Sequence, residues 1–231
     1  MSFAAAILVV FATLVLCVEA FAFDAGFYKD EYGKHQIAYS VGVDEAVLYE
    51  ATDVLLEYLK DDRKTLDFEA QIDGSEREYF NEREKAHMVD VKALYQNAIV
   101  FMAVAYIVGG VLFLFSYIVS RQAKIVLKAA FFGVIAGLAV FAVLGVWIAV
   151  DFNSFWTAFH HLMFSNDLWL LDAATSLLIR MYPGVFFFDL VSAILLLFIV
   201  IVAVAIVGLR LGYKKALKNE RLAACKKEAA A

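Results

Sequence analysis

Four histidines are the side chains of this sequence best able to move a proton near neutral pH: His35, His87, His160 and His161. His87 and Asp90 stand three apart in a stretch of helical periodicity, so that His87, Asp90, Val91 and Leu94 share one helix face. A carboxylate there can orient the imidazole through one ring nitrogen and leave the other free as a general base. His160 and His161 sit in a nearly continuous aromatic and apolar run over 152–164, followed by Trp169, Asp172, Tyr182, Pro183 and Phe186. Taken singly, each histidine fits a packed or solvated boundary residue better than a catalyst, and Asp90 fits a solvated carboxylate as well as a partner. The aromatic run reads as a membrane anchor at headgroup level or, more sharply, as the floor of a lipid-binding site. Glu19 is the one acid in the first hydrophobic run, near enough to its end to reach the interface.

These side chains must be positioned by a strongly apolar chain. Of its 231 residues 63% are hydrophobic and 19% charged, and the mean hydropathy is +0.74. Soluble domains run nearer half apolar and a quarter charged, so the composition points to a membrane protein. A spanning helix takes about 20 apolar residues to cross about 30 Å of hydrocarbon. The stretches 3–23, 98–119, 129–150 and 190–209 qualify. The expected fold class is an all-α polytopic membrane protein, four transmembrane helices with a mostly helical extracytoplasmic cap.

Charge sets the expected topology. The 120–128 loop holds Arg121, Lys124 and Lys128 without an acid, and the 210–231 tail holds seven bases against Glu220 and Glu228. The 24–97 segment carries eighteen acids against nine bases, and 151–189 has Arg180 as its one base. Positive charge beside membrane ends stays in the cytoplasm, so the loop, the tail and both termini are expected inside. The two acidic segments are then expected outside as cap segments. Ala20-Phe21-Ala22 resembles a signal cleavage site, but the run lacks a basic leading region and is long, so the first span is expected to be retained. Cys17 and Cys225 lie at different depths and are not expected to pair.

Within the first cap segment, Val47, Ala51, Val54, Leu55 and Tyr58 recur at helical spacing over 44–60. That face should lie on the membrane or on the other outer segment. Residues 66–72 alternate like a short strand ending at the Asp73-Gly74 turn. From Asn81 a helix should run into the second span. Two or three short helices are expected in the second cap segment, with Pro183 ending one of them.

Three sequence elements carry a family resemblance. Glu84, His87, Met88, Asp90 and Val91 follow an E-x-x-H-M-x-D-V pattern. Phe159-His160, Phe164, Asn166, Trp169 and Asp172 follow F-H-x-x-x-F…N-x-x-W-x-x-D, and Leu178-Ile179, Pro183 and Phe186-Phe187 complete the set. Together they resemble the bacterial lipoprotein intramolecular transacylases along the full length. The chain departs from that pattern at Ala173 and Ser176, where proline and aspartate are expected, and at Gly184, where an acid is. The resemblance implies an acyltransferase without a cofactor, located in the bacterial cell membrane. It would act on diacylglyceryl-modified lipoproteins and contact membrane lipid. The acyl chain on the second glyceryl carbon would move to the amine of the N-terminal cysteine, giving a lyso-form lipoprotein. It implies His87 and His160 as catalytic, His87 with Asp90 as base and His160 as proton donor or oxyanion partner, with His161 as the alternative to His160. Asp90, Met88, Phe159, Phe164, Trp169, Asp172 and Phe186 are the expected supporting or substrate-contacting residues.

Two other readings compete. A non-enzymatic receptor or assembly factor would use the acidic cap for docking. A metal-dependent membrane hydrolase would use His87, His160 and Asp90 or Asp172 as ligands, but the sequence has no tight motif such as H-E-x-x-H. No outer serine stands in a nucleophile motif, and the short basic tail gives no case for nucleic-acid binding.

Overall fold

In a computed structural model that describes residues 1–229, the chain is helical almost throughout. The elements are α1 (Ser2–Ala22), α2 (Ala25–Lys34), α3 (Ile37–Val41), α4 (Glu45–Lys60), β1 (Glu69–Ile72), β2 (Ser75–Glu78), α5 (Glu82–Ser120), α6 (Ala123–Val150), α7 (Phe152–Met163), α8 (Leu177–Met181) and α9 (Gly184–Glu228). Among the described residues, α1, α5, α6 and most of α9 are long and apolar enough to cross a membrane. A helix closes its own backbone hydrogen bonds, which hydrocarbon requires. The fold is therefore all-α and membrane-integral, with one short hairpin.

The chain divides into two compact units, one of Met1–Val18, Val100–Val146 and the C-terminal part from Ile194, the other of Glu19–Ile99 and Trp147–Ala193. In the first unit, small residues let helices meet closely, since lipid tails offer no hydrophobic drive for helices to associate. A Cβ at Gly133 would lie 2.4 Å from the Phe3 carbonyl oxygen, and one at Gly137 would lie 2.9 Å from Val10 Cγ1. Phe141 of α6 packs against Phe11 of α1 at 5.0 Å and Phe198 of α9 at 4.9 Å between ring centroids. Lys124 pairs with Glu220 at 2.6 Å.

The second unit has its own core, in which Tyr28, Tyr32, Ile37, Leu48, Leu55 and Tyr79 pack with Leu177, Met181, Tyr182 and Phe186. The apolar face of α4 thus packs against residues of the 151–189 segment. Asp73 and Gly74 take consecutive positive φ values of 54° and 78°, the geometry of a two-residue hairpin turn. They pair β1 with β2, a strand the sequence pattern does not announce because Ser75, Glu76, Arg77 and Glu78 are all exposed. Helices α2 and α3 are also unannounced. Two glycines dilute the first, and the five-residue second is cut out by left-handed residues at Gln36 and Gly42. Pro183 stands just past the end of a short helix, as expected: α8 stops at Met181 with Tyr182 as its C-cap, and the Pro183 carbonyl, accepting the Phe186 N–H at 2.9 Å, also opens α9. Glu19 is engaged, its carboxylate accepting the Tyr95 hydroxyl at 2.7 Å.

Candidate active site

The 151–189 segment begins with α7, whose N-terminus is held by Asp151 accepting the Ser154 N–H at 3.0 Å. Along it, Phe152 and Trp156 stack at 5.5 Å, and Trp156 and Phe159 stack at 5.5 Å. His160 follows Trp156 by one helical turn, and its Nδ1 lies 2.7 Å from the Trp156 carbonyl oxygen. A carbonyl only accepts, so Nδ1 carries the hydrogen and the lone pair of the neutral ring stands on Nε2. Burial pushes the His160 pKa below the ordinary histidine value and outweighs the Trp156 carbonyl, which acts in the opposite direction.

His87 comes from the start of α5, ahead of the apolar stretch of that helix, and is 8% exposed, as is His160. Burial, with His160 as a further cause, lowers its pKa from 6.5 to about 4, while the charge of Asp90 acts against the shift. The two imidazoles lie 6.4 Å apart between centroids, with Phe164 5.3 Å from the His87 ring and 5.7 Å from the His160 ring. Trp169 packs 4.8 Å from His160. Both histidines line a cavity of about 400 Å³ whose other walls are almost wholly apolar. Its size falls in the ordinary range of small-molecule sites.

Of the residues singled out from sequence, His87, His160, Met88, Phe159, Phe164, Trp169 and Phe186 line this cavity together. Asp90 and Asp172 do not. Asp90 accepts the Asn166 amide at 2.8 Å, and His87 Nδ1 is buried without a hydrogen-bond partner, so the expected Asp90–His87 hydrogen bond is not made. The spacing did put both on one helix face; the 164–176 loop then supplied Asp90 with another partner. Asp172 is exposed and accepts the Ala174 N–H at 2.9 Å. His161 is exposed and meets the Trp169 ring edge to face at 5.1 Å between centroids.

Two further residues organise the site. Trp156 provides the carbonyl that fixes His160, a relationship readable only as a spacing of four on one helix. Glu84, with 0% exposure, accepts the Ser176 hydroxyl at 2.5 Å, the Leu178 N–H at 2.8 Å and the Asn81 N–H at 2.6 Å. Asn81 in turn accepts the Glu84 N–H at 3.0 Å. This is a capping box, and its N-x-x-E signature stood in the sequence. It locks the start of α5 to α8, and Ser176, one of the departures from the family pattern, is the residue that bridges them.

Away from the cavity, Glu31, His35 and Asp189 form a grouping that could hold a metal ion, and neither cavity histidine belongs to it. The Lys34 ammonium already lies 2.5 Å from Asp189 and 3.3 Å from Glu31.

Four long apolar helices and a buried histidine pair on an apolar cavity define the class: an integral membrane protein with acid–base groups facing a site for a largely apolar ligand. The family model for the lipoprotein intramolecular transacylase Lit matches residues 3–187, and the chain belongs to that family. It is an acyltransferase that acts within a lipoprotein substrate. Its fold is similar to an in meso structure of the membrane-integral lipoprotein intramolecular transacylase Lit from Bacillus cereus, with 23% identity, a TM-score of 0.70 and 96% of each chain covered. Two structures of that Bacillus cereus protein with one histidine replaced, by arginine or by alanine, match at 22% identity. Their TM-scores are 0.70 and 0.69, over 96% of this chain and 92% and 94% of theirs. At these identities the likeness is one of fold. No curated protein matches the chain.

Proposed function

We propose that the chain moves the acyl group from the second glyceryl carbon of a diacylglyceryl-modified cysteine to the α-amine of that same cysteine. The observation that carries this reading is the pair of buried imidazoles on one apolar cavity. The cysteine nitrogen attacks the ester carbonyl, forming the N–C bond through a ring of about eight atoms that closes poorly in solution because many rotors must be frozen. An enclosing aromatic wall supplies that restraint. The ester C–O bond then breaks and the departing glyceryl oxygen takes up the proton that the amine gave to the base, leaving an amide and a free glyceryl hydroxyl.

Hydrogen bonding favours a division of labour opposite to the one expected from sequence. With Nδ1–H donated to Trp156, His160 offers Nε2 as the base that takes the proton from the attacking amine. His87, with its pKa at about 4, yields a proton readily when charged and, when neutral, can offer an N–H to the carbonyl oxygen as charge develops there. Met88, Phe159, Phe164, Trp169 and Phe186 would contact the acyl chains. Asp90 would act by holding the 164–176 loop through Asn166.

The likeness to a membrane-integral Bacillus cereus protein supports a bacterial cell membrane location, and the charge asymmetry supports cytoplasmic termini with the cap segments, histidines included, outside. Lipidated cysteines would reach the histidines at that face. In the Bacillus cereus protein the loss of one histidine leaves the fold recognisable, which fits a histidine kept for chemistry and not for packing.

The test is to co-express the chain with a diacylglyceryl lipoprotein and sequence the modified N-terminal peptide by fragmentation. Intact mass is uninformative, because moving a chain within one molecule leaves the mass unchanged. The α-amine should become unreactive while one acyl group stays on glycerol, and His87→Ala or His160→Ala should abolish the change. A histidine variant performing like the parent would remove the mechanism.

A further inference from the structure

The histidine cavity has a polar neighbour. A cleft of about 510 Å³ lies between the start of α5 and the 170–176 loop, lined by Asn81, Arg83, Leu170, Leu171, Asp172 and Thr175. Leu171 lines both spaces, so a single residue is their common wall. The cleft is held in shape from α5. Asn81 donates to the Thr175 carbonyl at 3.2 Å, and the Arg83 guanidinium donates to the Asp167 carbonyl. Asp172 uses one carboxylate oxygen on the Ala174 N–H, and its other oxygen makes no hydrogen bond among the described residues. Leu170, 53% exposed, forms an apolar lip.

In a lipoprotein, acyl chains and polypeptide meet at one residue. A cavity that takes the acyl part must release the polypeptide beside it, into surroundings that satisfy peptide N–H and C=O groups. Each such group left buried and unpaired loses its hydrogen bonds to water with nothing in return. An extended chain advances about 3.3 Å per residue, and with Leu171 in both linings the residues directly following the modified cysteine are the ones placed to enter the cleft. Arg83 has further N–H groups that can donate to peptide carbonyls; the Thr175 hydroxyl, whose hydrogen goes to the Asp172 carbonyl, and the free Asp172 carboxylate oxygen can accept peptide N–H groups, and Leu170 can pack on one side chain. We infer that this cleft binds the polypeptide segment directly following the lipidated cysteine, held extended through its main chain. The inference rests on the transacylation proposed above. Main-chain contacts would suit many lipoproteins, since every sequence offers the same groups.

The experiment compares two diacylglyceryl-cysteine substrates, a dipeptide amide and a hexapeptide amide, with the parent, Thr175→Trp and Leu170→Trp in detergent micelles. Both substitutions are at exposed positions, and unfolding temperatures matching the parent's establish that the fold is intact. The expected result is a lower KM for the hexapeptide than for the dipeptide in the parent. Each variant should raise the hexapeptide's KM at least tenfold relative to the dipeptide's, with kcat changed less than twofold on either. Equal KM values for the two substrates in the parent, or variants that shift both equally, would overturn the cleft assignment and leave the transacylation standing. Absence of conversion of either substrate by the parent would overturn both.

Discussion

The rings of His87 and His160 approach to 6.4 Å between centroids and sit 31° from parallel, with Phe164 against both. Burial lowers the pKa of each and so disfavours its charged form, which keeps the ring nitrogens free of an added proton at neutral pH.

The first prediction is a pH profile. The attacking α-amine must be neutral, so log kcat/KM should rise with unit slope up to about pH 8, the ordinary value for such an amine. Because both histidine pKa values lie below 6.5, the slope should steepen to two only below that pH. A second inflection at or above 6.5 would contradict the burial of the pair. The same shift bears on stability. His87 has a folded pKa of about 4 against an ordinary 6.5, so below 6.5 the unfolded chain binds the proton more tightly. Stability is fully present above pH 6.5 and should be lost as the pH falls toward about 4, which thermal unfolding across that window would register.

The second prediction separates Asp90 from the chemistry. Its carboxylate accepts from Asn166 and makes no hydrogen bond to His87. Asp90→Asn keeps an oxygen able to accept from the same amide, so kcat should stay within about threefold of the parent. An orienting carboxylate in general base catalysis would instead cost about a hundredfold or more on removal. Steady-state rates for Asp90→Asn beside His87→Ala decide between the two.

Much of this arrangement was legible in the sequence because it follows periodicities. Runs of about 20 apolar residues announce spans, and the spacing of Val47, Ala51, Val54, Leu55 and Tyr58 announced the buried face of α4, four of these five lying in the core. The histidines were found by residue type and by their aromatic surroundings. What stayed hidden depends on tertiary partners. The spacing of His87 and Asp90 predicted a shared face, but Asn166, 76 residues on, decides what the carboxylate binds. The tautomer of His160 rests on a backbone carbonyl, which carries no sequence signal. Strand β2 escaped because an all-exposed strand has no apolar alternation to display.

The third prediction concerns Glu84. Its buried carboxylate accepts from the Ser176 hydroxyl, the Leu178 N–H and the Asn81 N–H, tying α5 to α8. Glu84→Ala strands those donors and should destabilise the fold by about 3 kcal/mol or more, given about 1–3 kcal/mol for each buried group left unpaired. Ser176→Ala removes one donor, leaves the carboxylate two others, and should cost about 1 kcal/mol. Unfolding temperatures should rank parent, Ser176→Ala, Glu84→Ala; equal values would mean that the clamp contributes nothing.

The last prediction is drawn from the membrane unit, where glycine acts by size. A side chain at Gly133 would put its Cβ 2.4 Å from the Phe3 carbonyl oxygen and 2.8 Å from the Ala6 Cβ, so α1 would have to move away from α6. The obstacle is backbone, which cannot swing aside as a side-chain tip can. Gly145 lies on the same helix, and a Cβ there meets nothing within 4 Å. Gly145→Ala should therefore be neutral or stabilise by up to about 1 kcal/mol through helix propensity. Gly133→Ala should lower the unfolding temperature, and Gly133→Val should lower it further. The two sites share residue type, helix and apolar surroundings, and differ in what stands opposite. If Gly133→Ala and Gly145→Ala unfold alike, the close approach of α1 to α6 is not what that glycine secures.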